Sequence, residues 1–396
     1  MMDAEVDRVA EVRAQTPALA MRTYLDSAAT GLPPLAVTEP MKEMIERWSR
    51  EGEDYPSWLA DVVEFRARNA ALFGVRPNEI GIVANASAGL AALAESISFE
   101  KRKKVVTSGL NFPSNVVLWQ RMKETGLLDE VELVEPEGGR MPFERWEEAV
   151  DEDTAIVAVD YVSWVNGYRE DVRAISELAH LKGAMVVVDA YHGAGVFPID
   201  LRHDGVDAAV WGMSKWLCGP HGVACLFLRE ELLERLEPRY IGWLGVDDNT
   251  MERVGRKEDP FARPMEMGHS RPAMSAARYE WGTHASILIK GALGAMRMAE
   301  RYDPASRFRV ISRRKQELLE GLADLGAGVV TPTQENGGSG IVAFEQGNQT
   351  ETVAALAARN VVVSGRFGNL RVSPHYYNTG KDIATLLAAL REVRPR

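Results

Sequence analysis

Three short valine-rich runs constrain what this chain can fold into more than any other feature: residues 155–161 (AIVAVDY), 185–189 (MVVVD) and 206–211 (VDAAVW). A strand with one solvated face alternates apolar and polar residues, whereas these runs are apolar at nearly every position. Strands buried on both faces of a parallel sheet read in this way, because the helices that return the chain cover both surfaces. The intervening sequence supplies such a helix. Residues 174–182 are apolar at helical spacing, carry Lys182 in the last turn and stop at Gly183, a residue suited to a C-terminal cap. Upstream, residues 79–84 read as a strand, and the turn Asn85-Ala86-Ser87-Ala88 opens the helix-like stretch 89–96. Strand, turn, helix and strand in repetition predict a doubly wound α/β domain with a mostly parallel sheet.

The last third of the chain has a different rhythm. Helical stretches at 287–302 and 308–325 precede strand candidates at 340–345, 361–364 and 370–373, which alternate with helices at 352–359 and 381–393. That pattern predicts a smaller α+β unit. The division falls near residue 285, so that residues 21–285 form a large domain, 286–396 a small one, and 1–20 pack against the small one.

The 396 residues suffice for both cores. A formal net charge of −11 argues against nucleic acid, which is gripped by clustered basic surface. The densest basic run, Lys101 to Lys104, reads as a solvated turn before a strand. Two cysteines, Cys218 and Cys225, build neither a disulfide framework nor a cysteine-rich metal site, and no metal is expected. The charged N-terminus lacks the apolar core of a secretory signal, and no apolar run approaches the roughly 20 residues of a membrane span. A cytoplasmic location is the expectation.

Lys215 is the centre of the chemical reading. It lies in Trp211-Gly212-Met213-Ser214-Lys215-Trp216, just after a buried strand and before Cys218-Gly219-Pro220-His221-Gly222. A lysine among apolar residues at the mouth of a parallel sheet is costly as an ammonium. Desolvation lowers its pKa, which is what an amine that attacks an aldehyde requires. Taken alone, a surface loop lysine reads equally well. Asp189 shifts the balance: it ends its run 26 residues earlier, and the next run lies between the two. Both side chains then emerge at the carboxyl ends of strands, where α/β folds bind ligands, and a carboxylate there can hold a protonated pyridine nitrogen. A buried aspartate capping a turn is the common alternative. Ser87 and Gly89 open a helix after a strand, an arrangement that suits a phosphate and equally an ordinary N-cap.

Five segments in one order make these hints specific. Tyr24-Leu25-Asp26-Ser27-Ala28-Ala29-Thr30, Asn85-Ala86-Ser87-Ala88-Gly89-Leu90, Val188-Asp189-Ala190-Tyr191-His192, Ser214-Lys215 and Arg371-Val372-Ser373-Pro374-His375-Tyr376-Tyr377-Asn378-Thr379 span nearly the whole chain. Together they resemble the motifs of the class V aminotransferase family, which takes in cysteine desulfurases, selenocysteine lyases, isopenicillin N epimerases and kynureninases. The resemblance implies a fold-type I enzyme that uses pyridoxal 5′-phosphate (PLP) on an amino-acid substrate. It implies that Lys215 holds the cofactor as a Schiff base and that Asp189 pairs with the pyridine nitrogen. Phe112 would stack on the ring, while Ala86, Ser87 and Ser214 would contact the cofactor around its phosphate. Thr283, in Trp281-Gly282-Thr283-His284, matches a position from which relatives reach the phosphate of the neighbouring subunit. A homodimer with its active site at the subunit interface follows from that match. Arg371 would hold the substrate carboxylate through a bidentate pair, with Asn115 and Trp164 beside the substrate.

Asn111-Phe112-Pro113, and His192 three residues after Asp189, are similar to kynureninases. His192 would hydrogen-bond the cofactor's phenolic oxygen or the substrate and join Lys215 in catalysis. The loop Ser364-Gly365-Arg366-Phe367-Gly368-Asn369 lacks the reactive cysteine of persulfide-forming desulfurases, so a persulfide relay is not expected. Asn115 stands where kynureninases carry aspartate, Ser214 where histidine, glutamine or arginine is common, and Trp164 where desulfurases carry asparagine. The expectation leans to a kynureninase-like or C–S lyase reaction. An aminotransferase or epimerase of the same family is the alternative, and a catalytically inactive binding protein is an alternative of another class. No Gly-x-Gly-x-x-Gly follows an early strand, which disfavours a nicotinamide dehydrogenase. Trp164, Trp216, Trp243 and Trp281 hint at a pocket for a bulky substrate, although most tryptophans fill cores.

Overall fold

A computed structural model describes residues 2–52, 54–259 and 270–393. In chain order the strands are β1 (Thr23–Tyr24), β2 (Ile80–Val83), β3 (Lys104–Ser108), β4 (Glu130–Val134), β5 (Thr154–Asp160), β6 (Met185–Asp189), β7 (Ala208–Gly212), β8 (Ala224–Leu228), β9 (Val342–Glu345), β10 (Val361–Val362), β11 (Ser364–Arg366) and β12 (Asn369–Val372). Seven of them form one sheet in the order β2-β8-β7-β6-β5-β3-β4. Its centre is parallel from β4 to β7, and β8 runs antiparallel to both of its neighbours.

The valine runs lie at the middle of this sheet for the reason their composition gives. Along β5, Val157 and Val159 enter one apolar cluster with Val186 and Val188, while Ile156 and Ala158 enter the opposite cluster with Val187 and Val210. Both faces are therefore covered, and a polar residue is tolerated only where a strand ends. Asp160 and Asp189 are such ends, and they face each other in register across β5 and β6.

Local structure departs from the sequence reading at several points. The turn expected at Asn85–Ala88 is the start of the helix Ala86–Ser96, because Asn85 caps it by accepting the Ala88 N–H at 2.8 Å. Lys104 does not lie in a solvated turn. It opens β3, is buried, and its ammonium pairs with Glu132 at 2.7 Å and Asp151 at 2.8 Å. The helices Leu35–Glu51 and Tyr55–Leu72 had no expectation behind them.

In the C-terminal part, β11, β12 and β9 form a small antiparallel sheet. Leu25, Leu318, Phe344, Leu370 and Leu386 share its core. The N-terminal residues join this part: β1 pairs with β10, and Arg13 donates to the Asp382 carboxylate at 2.7 Å and to the Tyr377 carbonyl at 3.0 Å. Among the described residues, no helix is long and apolar enough to cross a membrane.

Candidate active site

Lys215 follows β7, and its ammonium lies 2.9 Å from His192 Nε2. Two aromatic rings flank it, with Tyr191 at 4.3 Å and Phe112 at 5.3 Å from the ring centroids. Burial is the main cause that lowers its pKa, to about 8; the nearby Asp189 carboxylate opposes that fall and Arg371 adds to it. His192 is buried, and desolvation followed by the Lys215 charge holds its pKa well below the ordinary value. It is a neutral imidazole, able to accept from the ammonium. Its Nδ1 is buried without a hydrogen-bond partner.

Asp189 closes β6 beside this pair. One of its oxygens accepts the Tyr191 N–H at 2.8 Å, and the other makes no hydrogen bond among the described residues. Burial raises its pKa, against the pull of that backbone bond and of Lys215. Asp160, one strand over, accepts from the Phe112 N–H at 2.6 Å and from Asn115 Nδ2 at 3.0 Å. Burial, then the neighbouring Asp189 charge, raises the Asp160 pKa strongly. Asn111 bridges the same corner: its amide donates to the Ala158 carbonyl at 2.8 Å and accepts the Asp160 N–H at 2.9 Å. The Phe112 loop is thus pinned to the end of β5 through its backbone, which leaves the ring free to face Lys215.

Hydroxyl groups gather at two places. Ser87 and Ser114, at the first turns of the helices Ala86–Ser96 and Ser114–Glu124, have their oxygens 2.7 Å apart. Ser214 meets the Tyr191 phenol at 2.9 Å. That phenol occupies space that only glycine leaves open: a Cβ at Gly212 would lie 2.2 Å from it. Ala86 is buried behind Ser87.

Arg371, on β12, is 2% exposed. Its Nη1 donates to the Trp164 carbonyl at 2.8 Å, and its Nε to Ser364 Oγ at 3.3 Å. Ser364 in turn donates to Asp26 at 2.8 Å, and Asp26 stands 3.6 Å from Nη2. Nη2 itself has no hydrogen bond. Desolvation lowers the Arg371 pKa to about 10, leaving it a cation at neutral pH.

Among the other expected residues, Asn115 departs from its reading. Asn115 is fully buried, and its amide is committed to Asp160 and to Trp119. It supports the Phe112 loop and does not face a substrate. Thr283 is exposed and lines a cavity of about 250 Å³ shared with Val83, Ala88 and Trp281. Trp164 is half-buried and lies edge-on to Phe112 at 5.4 Å. Trp216 is a core residue stacked on His375, and Trp281 is 47% exposed. Cys225 lies in the interior of β8, and burial pushes its thiol well above the ordinary value. Cys218 is likewise buried, its pKa pushed up to about 12.

Sequence reasoning passed over Tyr191, Asp160 and Ser114. The signal for Asp160 was present, since it stands one residue from the end of its valine run much as Asp189 ends the next. Together these residues fit the cofactor expected above. A depressed lysine pKa suits capture of an aldehyde, and the free oxygen of Asp189 suits a ring N–H. The Phe112 face suits a planar ring, and the paired serines at two helix starts suit a phosphate. Among the described residues, no group of three or more His, Cys, Asp or Glu is placed to hold a metal ion.

Comparison with known proteins adds the family. Residues 23–386 match the model of the aminotransferase class-V family. An uncharacterized aminotransferase of Bacillus subtilis is 26% identical over 367 residues, covering 93% of each chain. A kynureninase of Deinococcus radiodurans is 29% identical over 69% of this chain and 64% of its own. The solved apo structure of a cysteine desulfurase from Thermococcus onnurineus superposes with a TM-score of 0.84, at 23% identity and 97% coverage of both chains.

Proposed function

Because the chain belongs to the class V aminotransferase family of PLP-dependent enzymes, we propose that it is a lyase that acts on an amino acid at Lys215, of kynureninase or C–S lyase type and without a persulfide cysteine. The observation that carries this reading is the Lys215 ammonium, 2.9 Å from a neutral His192 and with a pKa near 8, beside a buried Asp189. PLP bound here supplies a sink for the electron pair left when a bond at the substrate's Cα breaks.

Lys215 would anchor the cofactor through its amine and would carry a proton to and from the substrate's Cα; a pKa near 8 leaves a useful fraction as free amine at neutral pH. The unbonded Asp189 oxygen holds the ring nitrogen in its protonated form. Ser87, Ser114 and Ser214 hold the phosphate. His192 Nε2 steadies the Lys215 proton, and Arg371 Nη2, which makes no hydrogen bond and faces Asp26 at 3.6 Å, takes the substrate carboxylate. Both thiols are buried with raised pKa values, so neither offers a thiolate to receive sulfur. That supports a reaction without persulfide transfer. Transamination is the second reading, favoured by the likeness to an aminotransferase over 93% of the chain. The same proposal includes a large domain of residues 21–285, a small one of 286–396, and a homodimer in which Thr283 reaches the partner's phosphate.

The first test is an absorption spectrum of the PLP-treated protein beside Lys215→Ala, before and after borohydride. A visible band fixed by borohydride in the wild type alone is the expected result. No band would refute the assignment and favour an inactive binding protein. An amino-acid panel read for ammonia, sulfide, alanine and keto acids then separates lyase from aminotransferase.

A further inference from the structure

We propose that the hairpin β11–β12 reads the substrate's side chain, and that the substrate carries a second anionic group on an apolar or aromatic body in addition to its α-carboxylate. This deepens the reading of Lys215 as an amino-acid site and rests on it.

Not every cation around the site has a carboxylate at contact distance. Arg371 faces Asp26 across 3.6 Å, and Lys215 has Asp189 and Asp160 as carboxylate neighbours. Arg366 makes no ion pair within 4 Å among the described residues, and Asp26 feels its charge only at longer range. Its guanidinium donates only to the adjacent Gly365 carbonyl, at 2.6 Å. Ser364 and Arg366 alternate with Gly365 along β11 and so share one face of the hairpin, the face on which Ser364 meets Asp26 and its register partner Arg371; the Arg366 charge also acts on Asp26, His192, Lys215 and Arg371. Arg371 is largely engaged by Trp164, Ser364 and, at 3.6 Å from Nη2, Asp26, which leaves it hydrogen-bonding capacity for at most one carboxylate. A half-buried Arg366 is left over, and an unpaired guanidinium beside a ligand pocket is built for a second anion.

The same hairpin supplies an apolar wall. Phe367 at its tip is 71% exposed and meets Trp164 edge-on at 5.4 Å; Trp164 meets Phe112 at 5.4 Å, and the Phe112 centroid is 5.3 Å from Lys215. This line of rings runs from the reactive amine to solvent. Phe367 and Gly368 both have positive φ, +48° and +83°, as a two-residue hairpin turn requires. Such turns favour Asn-Gly, so a bulky ring held there in the left-handed region points to a use outside folding.

The test compares 4-carboxy-L-phenylalanine with L-phenylalanine, by calorimetry on the PLP-loaded protein. Wild type is expected to bind the acid about ten-fold more tightly. Arg366→Met should lose that preference while keeping its affinity for L-phenylalanine, and Arg366→Lys should restore part of it. Equal binding of the two compounds, binding of neither, or a preference that survives in Arg366→Met would overturn the proposal. An equal loss for both compounds in Arg366→Met would place Arg366 on the α-carboxylate and would overturn it too. The cofactor's visible band, read on the same samples, separates the two levels. Protein with the band but no preference refutes this inference alone, and protein that never acquires the band refutes the parent reading and this one with it.

Discussion

Lys215 holds a charge that its surroundings oppose, and the order of the causes makes its behaviour testable. Burial lowers its pKa first, Asp189 raises it, Arg371 lowers it, and Asp160 and Arg366 follow with opposite signs, leaving a value near 8. Only the free amine attacks an aldehyde. The rate at which cofactor-free protein captures PLP should therefore rise about ten-fold per pH unit up to pH 8 and level off above it. Asp189→Asn removes the main charge that favours the ammonium, so its break should fall at lower pH. Stopped-flow absorbance at several pH values measures both, and a break near 10.5 in the wild type would contradict the burial argument. At this scale the sequence pointed to Lys215 and Asp189 because each ends or follows an apolar run, whereas Phe112 and His192 came only from the family resemblance. It did not show that the Tyr191 ring turns back over Lys215, since the direction of a side chain leaving a strand end is set by the neighbouring loop. The role of Asp160 needed knowledge that β5 and β6 are adjacent and in register. The same knowledge removes Asn115 from the substrate list, because its amide is consumed by Asp160.

The hairpin β11–β12 shows how an element can be legible in outline and hidden in purpose. Strand candidates flanked it in the sequence, but Phe-Gly is not a turn signal of the Asn-Gly kind, so the two-residue connection between Arg366 and Asn369 went unread. A phenylalanine with φ of +48° stores strain that asparagine largely avoids. Phe367→Asn should accordingly stabilise the protein, by about 0.5–1 kcal/mol in chemical denaturation. If the ring serves the substrate, the same change should raise KM for an apolar or aromatic substrate several-fold with little change in kcat. A variant that is stabilised and kinetically unchanged would leave the tip without a functional role. Elsewhere the helices Ser286–Glu300, Pro304–Asp324 and Gly380–Val393 were legible to within a few residues, because they are amphipathic. The helix Ala86–Ser96 began earlier than read, because the cap lies on Asn85, a residue that also reads as a turn former.

At the scale of the whole molecule, one feature stands apart from the pocket around Lys215. The cavity of about 250 Å³ that includes Thr283 is bordered by Ile82, Val83, Ala88, Tyr279 and Ile289. It opens beside Trp281, 47% exposed, and Tyr240, 63% exposed, whose rings meet edge-on at 6.5 Å. Large exposed aromatics at the rim of an apolar hollow are the kind of surface that a protein partner covers. The stretch from Ala84 to Ala88 contributes to the same hollow and carries Ser87, one of the hydroxyls assigned to the phosphate. A second copy seated here would bring its own Thr283 to that corner. Two variants separate assembly from chemistry. If a second copy covers this hollow, Trp281→Glu places a charge in the contact and should raise the dimer dissociation constant about ten-fold or more, with cofactor lost from the monomers that form. Thr283→Val removes one hydroxyl and should leave the dimer intact while weakening PLP several-fold, the worth of about one hydrogen bond. Sedimentation velocity across micromolar concentrations, read at the protein and cofactor wavelengths together, measures both effects. A wild-type monomer that keeps its full complement of cofactor on dilution would mean that one chain completes the phosphate site, and Thr283 would then be a surface residue with no part in it.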